Sequence, residues 1–109
     1  MGEAPWVVYV ASPMTTYHTP LYELRRQQIA GLFPGAELIC PPDGPLYPDA
    51  QVFKATYREH LRRCTDLVCF DAGDLVATRG MAEEMRYAAR IGRRVWYLTH
   101  GGALEPLTG

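Results

Sequence analysis

Apolar and polar positions along the chain alternate between unbroken runs and helical spacing. Trp6-Val7-Val8-Tyr9-Val10-Ala11 is a near-continuous apolar run, the pattern of a parallel strand covered on both faces. Ser12 to His18 is a polar loop at its C-terminal end, and Thr19-Pro20 reads as a helix N-cap followed by proline at the first helical position. Leu21, Leu24, Gln28 and Leu32, with Ile29 beside them, give helical spacing to about Phe33, where Pro34-Gly35 stops it. Ala36 to Cys40 is a second short strand. The proline-rich Pro41 to Pro45 forbids regular structure. A second helix is predicted from near Asp49 to Arg63, on Val52, Phe53, Tyr57 and Leu61. Asp66 to Asp71 is a third strand, and the loop opened by Ala72-Gly73-Asp74 leads into a helix that ends at Gly92. Arg94 to Thr99 is a fourth strand.

Four strands alternating with three helices predict a small flavodoxin- or Rossmann-like α/β domain with a four-stranded parallel sheet and helices on both faces. The expected strand order is 2-1-3-4. Residues 1–99 form the domain and 100–109 a C-terminal tail, rich in glycine and proline and expected to be partly disordered. That order places a switch point between the first and third strands, and ligands of such sheets bind beyond the strand C-termini there. Ser12, Met14 and Tyr17 lie at this edge, as does Asp71 at the end of the third strand; Gly80 ends the loop that Asp71 opens, and Met81 follows it in the third helix.

One side chain breaks the amphipathic pattern. At about 100° per residue, Met81, Met85, Ala88, Ala89 and Ile91 share one arc of the third helix, and Glu84 falls inside it. Glu83 falls on the opposite arc, with Arg79 and Arg86 at ion-pair spacing. Glu83 thus has an ordinary explanation. Glu84 does not, because a carboxylate that faces a core is paired, neutralised or used.

The pattern Gly80-x-Ala82-x-Glu84-x-x-Tyr87-Ala88 resembles that of the nucleoside 2-deoxyribosyltransferase-like family, which includes nucleoside deoxyribosyltransferases and nucleoside-monophosphate N-glycosidases. The likeness extends to Tyr9 shortly before a small-residue loop, to Asp66 followed by apolar residues, and to Gly92 before the last β run. It covers most of residues 6–99. The resemblance implies that Glu84 is a nucleophile at the anomeric carbon of a nucleoside or nucleotide sugar, oriented by Tyr9. It also implies a homo-oligomer, because family sites are often completed by a neighbouring subunit. The chemistry is that of retaining glycoside cleavage, with a second group to protonate the departing base. The family commonly carries an aspartate eight residues before the position of Asp66, and here Arg58 stands there. The general acid is therefore open between Glu59, His60 and Asp71.

Bulk properties bound the alternatives. The 109 residues suffice for one core, and 48% apolar with 21% charged residues is ordinary for a folded chain. A net charge of −1 argues against binding nucleic acid through phosphate neutralisation, although Arg86, Arg90, Arg93 and Arg94 offer a local basic patch. No stretch has the length and apolarity of a membrane span, and the N-terminal residues lack the pattern of a secretory leader. Cys40, Cys64 and Cys69 lack zinc-site spacing and read as reduced thiols in a cytoplasm. No metal or cofactor is expected. A dinucleotide site would need a glycine fingerprint where Ser12-Pro13-Met14 stands, and a phospho-receiver an acidic pair after the first strand. Two non-catalytic readings compete with the enzyme: a nucleotide-binding module of the same fold, and a structural or interaction domain.

Overall fold

A computed structural model of the protein describes residues 6–45, 47–72 and 78–107. Strands β1 (Val7–Ala11), β2 (Glu37–Ile39), β3 (Asp66–Cys69) and β4 (Arg94–Leu98) alternate with helices α1 (Pro20–Leu32), α2 (Ala50–Arg63) and α3 (Arg79–Arg90), and a last strand β5 spans Leu104–Pro106. The sheet order is β2-β1-β3-β4-β5. The first four strands pair in parallel in the expected order 2-1-3-4, with Val8 opposite Asp66 and Tyr9 opposite Leu67.

The sheet is therefore five-stranded and mixed rather than four-stranded and parallel, because β5 pairs antiparallel to β4, with Leu98 opposite Leu104. The tail doubles back through His100-Gly101-Gly102-Ala103. Gly102 takes φ +88°, a backbone conformation that a side chain would strain, and its N–H donates to the Thr99 carbonyl at 3.0 Å. The Thr99 hydroxyl accepts from Ala103 N–H at 3.1 Å. The buried Arg25 of α1 clamps this turn by donating to the Thr99 carbonyl at 3.0 Å. A glycine pair between two β-prone stretches is itself a turn signal.

Alternation along each central strand builds two cores, one per face. Tyr9, Ala11, Leu67, Cys69 and Val95 meet Tyr57 and Leu61 of α2 and Met81, Tyr87 and Ala88 of α3. Val8, Val10, Val68, Phe70 and Leu98 meet Tyr22, Ile29 and Phe33 from α1 and its C-terminal end. Burial on both faces is why these strands read as unbroken apolar runs. The buried stripe of α1 differs from the expected one. Leu24 and Leu32 are exposed, and Tyr22, Arg25 and Ile29 point inward. Both sets have helical spacing; Tyr22 and Phe33 bury larger rings, against Phe70 and Trp6 respectively. In α2, Tyr57 and Leu61 are buried as expected and Val52 is exposed.

Every α-helix start is capped by a side chain. Thr19, Asp49 and Thr78 accept from the N–H groups of Tyr22, Val52 and Met81. Gly80, expected in the loop, lies in the first turn of α3, where an added Cβ would meet the Phe53 ring at 3.3 Å. Its bareness lets α3 approach Phe53. Part of the loop before α3, residues 73–77, lies outside the described residues.

Asp66 locks β3 to β4. It is 1% exposed, accepts from Trp96 Nε1 at 2.8 Å, and pairs with Arg94 at 3.0 Å. Asp66→Ala strands the indole N–H and is expected to cost about 2–3 kcal/mol in urea unfolding, while Asp66→Asn, which keeps an acceptor, costs less than half as much. Equal losses would show that the indole bond carries little of the cost.

Candidate active site

Glu84 sits in the second turn of α3 and is 4% exposed, as its place on the apolar arc predicts. The alternation of β1 turns Tyr9 to the same side of the sheet. The fully buried Tyr9 hydroxyl donates a short hydrogen bond to Glu84 Oε2. Burial dominates the ionisation of both groups. It pushes the Glu84 carboxyl up from 4.5 to about 7, against the Tyr9 hydrogen bond, which favours the carboxylate; the neighbouring Glu83 charge adds to the rise. The Tyr9 phenol is held well above its ordinary value by burial first and by Glu84 second, so it remains a donor.

A cavity of about 650 Å³ opens onto Glu84, within the range of small-molecule sites. Three segments at the C-terminal edge of the sheet wall it. The loop after β1 supplies Ser12, Pro13, Met14, Thr15 and Tyr17; the start of α2 supplies Tyr47, Asp49, Ala50 and Phe53; the start of α3 supplies Thr78, Arg79, Gly80 and Met81. Ser12 is buried, and its hydroxyl lies 2.9 Å from that of Thr16 in the short turn Met14–Thr16. Tyr47 stands edge-on to Phe53 with ring centroids 5.2 Å apart, and Phe53 leans on Tyr57 at 4.9 Å, which makes one wall aromatic. The Tyr17 and Tyr47 phenols are both pushed up, by burial first and then by the Glu84 charge. His18 closes the loop at φ +60°, turning the chain into α1.

Of the residues singled out in the sequence, Glu84, Ser12, Met14, Tyr17, Gly80 and Met81 line this one cavity, and Tyr9 holds Glu84. Asp71 is not brought to it. Its buried carboxylate accepts from Tyr97 Oη at 3.1 Å, lies 3.3 Å from His100 Nε2, and lines an adjoining cavity of about 310 Å³ that shares Met81 with the Glu84 cavity. The position of Asp71 is set by the turn into β5, which the tail was not expected to make. Arg58, Glu59 and His60 are not among the described lining residues either, although the His60 ring centroid lies 6.2 Å from that of Tyr9. The Arg58 guanidinium stands 5.0 Å from the Tyr87 ring centroid, Glu59 is exposed, and His60 lines the hollow beside Pro41 and Pro45. The expected ion pairs of Glu83 do not form within 4 Å among the described residues; Arg79 lines the Glu84 cavity instead.

Sequence reasoning missed Asp49, Tyr47, Phe53, Thr78 and Arg79. Asp49 is the one other carboxylate among the described lining residues. It was legible as an N-cap, and the switch-point rule that selected Ser12 applies equally to the start of α2. Among the described residues no group of three His, Cys, Asp or Glu side chains could hold a metal ion.

Two measurements check this electrostatic account. Because the folded pKa of Glu84 lies above its unfolded value, the stability it contributes is full below about 4.5 and is lost as pH rises through about 7. Glu84→Gln keeps an acceptor for Tyr9 without the charge. It is therefore expected to gain on the wild type between these pH values, by about 3 kcal/mol at pH 8 in denaturant unfolding; a pH-independent difference would contradict it. Tyr9→Phe removes the bond that favours the carboxylate, so the midpoint of that pH dependence is expected to move upward; a downward shift would overturn the assignment. No protein-family model, curated protein or solved structure matches this chain.

Proposed function

We propose that this protein cleaves or transfers the N-glycosidic bond of a nucleoside or nucleoside 5′-monophosphate, with Glu84 as nucleophile, as in the nucleoside 2-deoxyribosyltransferase-like family. The single observation that carries the reading is a buried carboxylate, held by a buried tyrosine, opening onto a cavity of ligand size. In this scheme the Glu84 carboxylate attacks the anomeric carbon as the carbon–nitrogen bond breaks, and the base leaves with a proton. Water, or a second base, then displaces the ester and regenerates the carboxylate. Tyr9 fixes which carboxylate oxygen is free to attack. Since attack requires the ionised form, activity rises with pH through about 7.

The remaining lining fits the same substrate class. Tyr47 and Phe53 offer an aromatic wall to a base. Asp49 is the other carboxyl group among the described lining residues; it caps α2 by accepting from Val52 N–H, so the proton for the departing base comes from solvent admitted to the cavity. Arg79, with the start of α3, suits a 5′-phosphate. The wider reading comprises a flavodoxin-like sheet extended by β5, a cytoplasmic setting that suits three free, buried cysteines, no cofactor, and a homo-oligomer in which a second copy covers Met14, 65% exposed at the cavity. The second reading, a non-catalytic nucleotide-binding module, is favoured by Arg58, which stands where the family's aspartate is expected.

Release of free base from ribo- and deoxyribonucleosides and their monophosphates, with and without an acceptor base, decides between the two. Glu84→Ala is expected to lose at least about a thousandfold in rate, while Glu83→Ala stays within severalfold of the wild type. Arg79→Gln is expected to raise KM for monophosphates about tenfold and to leave nucleosides unaffected. Saturable nucleotide binding with no release by the wild type would favour the module; neither binding nor release would sink both readings.

A further inference from the structure

Away from Glu84, α3 turns another face toward α2. Glu83, Arg86, Tyr87 and Arg90 meet Lys54, Tyr57 and Arg58 across a cleft of about 440 Å³. A second hollow of about 540 Å³ shares Lys54 and Arg58 and runs on to Glu59 and Arg62. Among the described residues, neither has a lining residue in common with the Glu84 cavity. Among the described residues of the cleft, four cations face one carboxylate, Glu83. None of these charges forms an ion pair within 4 Å among the described residues.

Tyr87 gathers the guanidinium groups. It is 9% exposed, with the Arg58 guanidinium 5.0 Å and that of Arg90 5.5 Å from its ring centroid. Arg62 Nε donates to its hydroxyl at 3.2 Å. Cation–π attraction holds each group for about 0.5–1 kcal/mol at an exposed site. The ring takes guanidinium faces and leaves their N–H edges to other acceptors, and Arg58 Nε is buried with no hydrogen-bond partner. Like charges gathered without counter-charge repel one another. An anion with several oxygens removes that repulsion and fills the donor forks.

We propose that the α2/α3 cleft is a binding site for a di- or triphosphate group, either free or as the tail of a nucleotide. The excess of three positive charges and the enclosure between two helices suit a compact polyanion. A nucleic-acid strand fits less well. The chain's net charge is −1, and the cleft's Tyr87 is buried and flanked by arginines, which leaves no open face for base stacking. The site stands whether or not Glu84 acts as a nucleophile.

Calorimetric titration of the full chain with pyrophosphate, tripolyphosphate and a nucleoside triphosphate tests this. Saturable binding of one tripolyphosphate per chain is expected, weakened at least about tenfold in Arg58→Gln/Arg90→Gln and unchanged in Arg79→Gln, which alters the other cavity. Lys54→Gln/Arg86→Gln, which leaves the Tyr87 contacts intact, repeats the test should the first pair fail to fold by circular dichroism. A nucleoside triphosphate that binds much more tightly than tripolyphosphate, and loses that affinity in Arg58→Gln/Arg90→Gln, identifies a nucleotide as the source; equal affinities identify free polyphosphate; a nucleoside triphosphate whose binding is lost only in Arg79→Gln occupies the Glu84 cavity and counts against the site. No saturable heat at low salt overturns it. So does a loss confined to Arg79→Gln, or tight binding of a single-stranded oligonucleotide that tripolyphosphate does not displace.

Discussion

The hydrogen bond from Tyr9 to Glu84 joins the central strand to the helix beside it, and the cavity is arranged around it. A carboxyl group so deeply buried loses its water, and among the described residues the phenol of Tyr9 is the donor that meets it. The bond needs β1 and α3 in fixed register, since Tyr9 reaches Glu84 only from the α2/α3 side of the sheet. Parallel pairing of β1 with β3, and the crossover from β3 through α3, supply that register. Burial raises the carboxyl's pKa and the phenol's donation lowers it, and burial prevails. The outcome is a carboxyl group whose pKa is raised from 4.5 towards neutrality beside an open cavity.

The two faces of α3 have opposite electrostatic tasks. The face toward β1 carries Glu84 among apolar groups, held among the described residues by the Tyr9 hydroxyl, with Arg79 at the same cavity. The face toward α2 carries cations gathered on Tyr87 with little counter-charge. Glu83 and Glu84, adjacent in sequence, stand on different sides of this division, because one helical step of about 100° separates a solvent-facing cleft from the core. Arg58 belongs to the second face. Its contact with Tyr87 explains why an arginine fits at this position of α2 whatever Glu84 does.

Much of the fold was legible because periodicity records burial directly. The apolar runs at β1, β3 and β4 required cover on both faces, and Glu84 was exposed as an anomaly by its place among Met81, Met85 and Ala88. Ile29 is buried as its spacing predicts, but where Leu24 and Leu32 competed with Tyr22 and Arg25 for the rest of the buried face of α1, the pattern could not choose. The sizes of the partners Phe70 and Trp6 across the core made the choice.

By itself the sequence determined the α/β alternation, the parallel order of the first four strands and the burial of Glu84. These follow from local spacing and from chirality rules that act between neighbouring elements. Only tertiary structure decided that the tail closes the sheet as β5, that Asp71 turns to Tyr97 and His100, and that Asp49 and Arg79 join Glu84 at one cavity. Those outcomes depend on which side chains meet across the sheet edge after the chain has doubled back, and distances along the chain do not record distances through space.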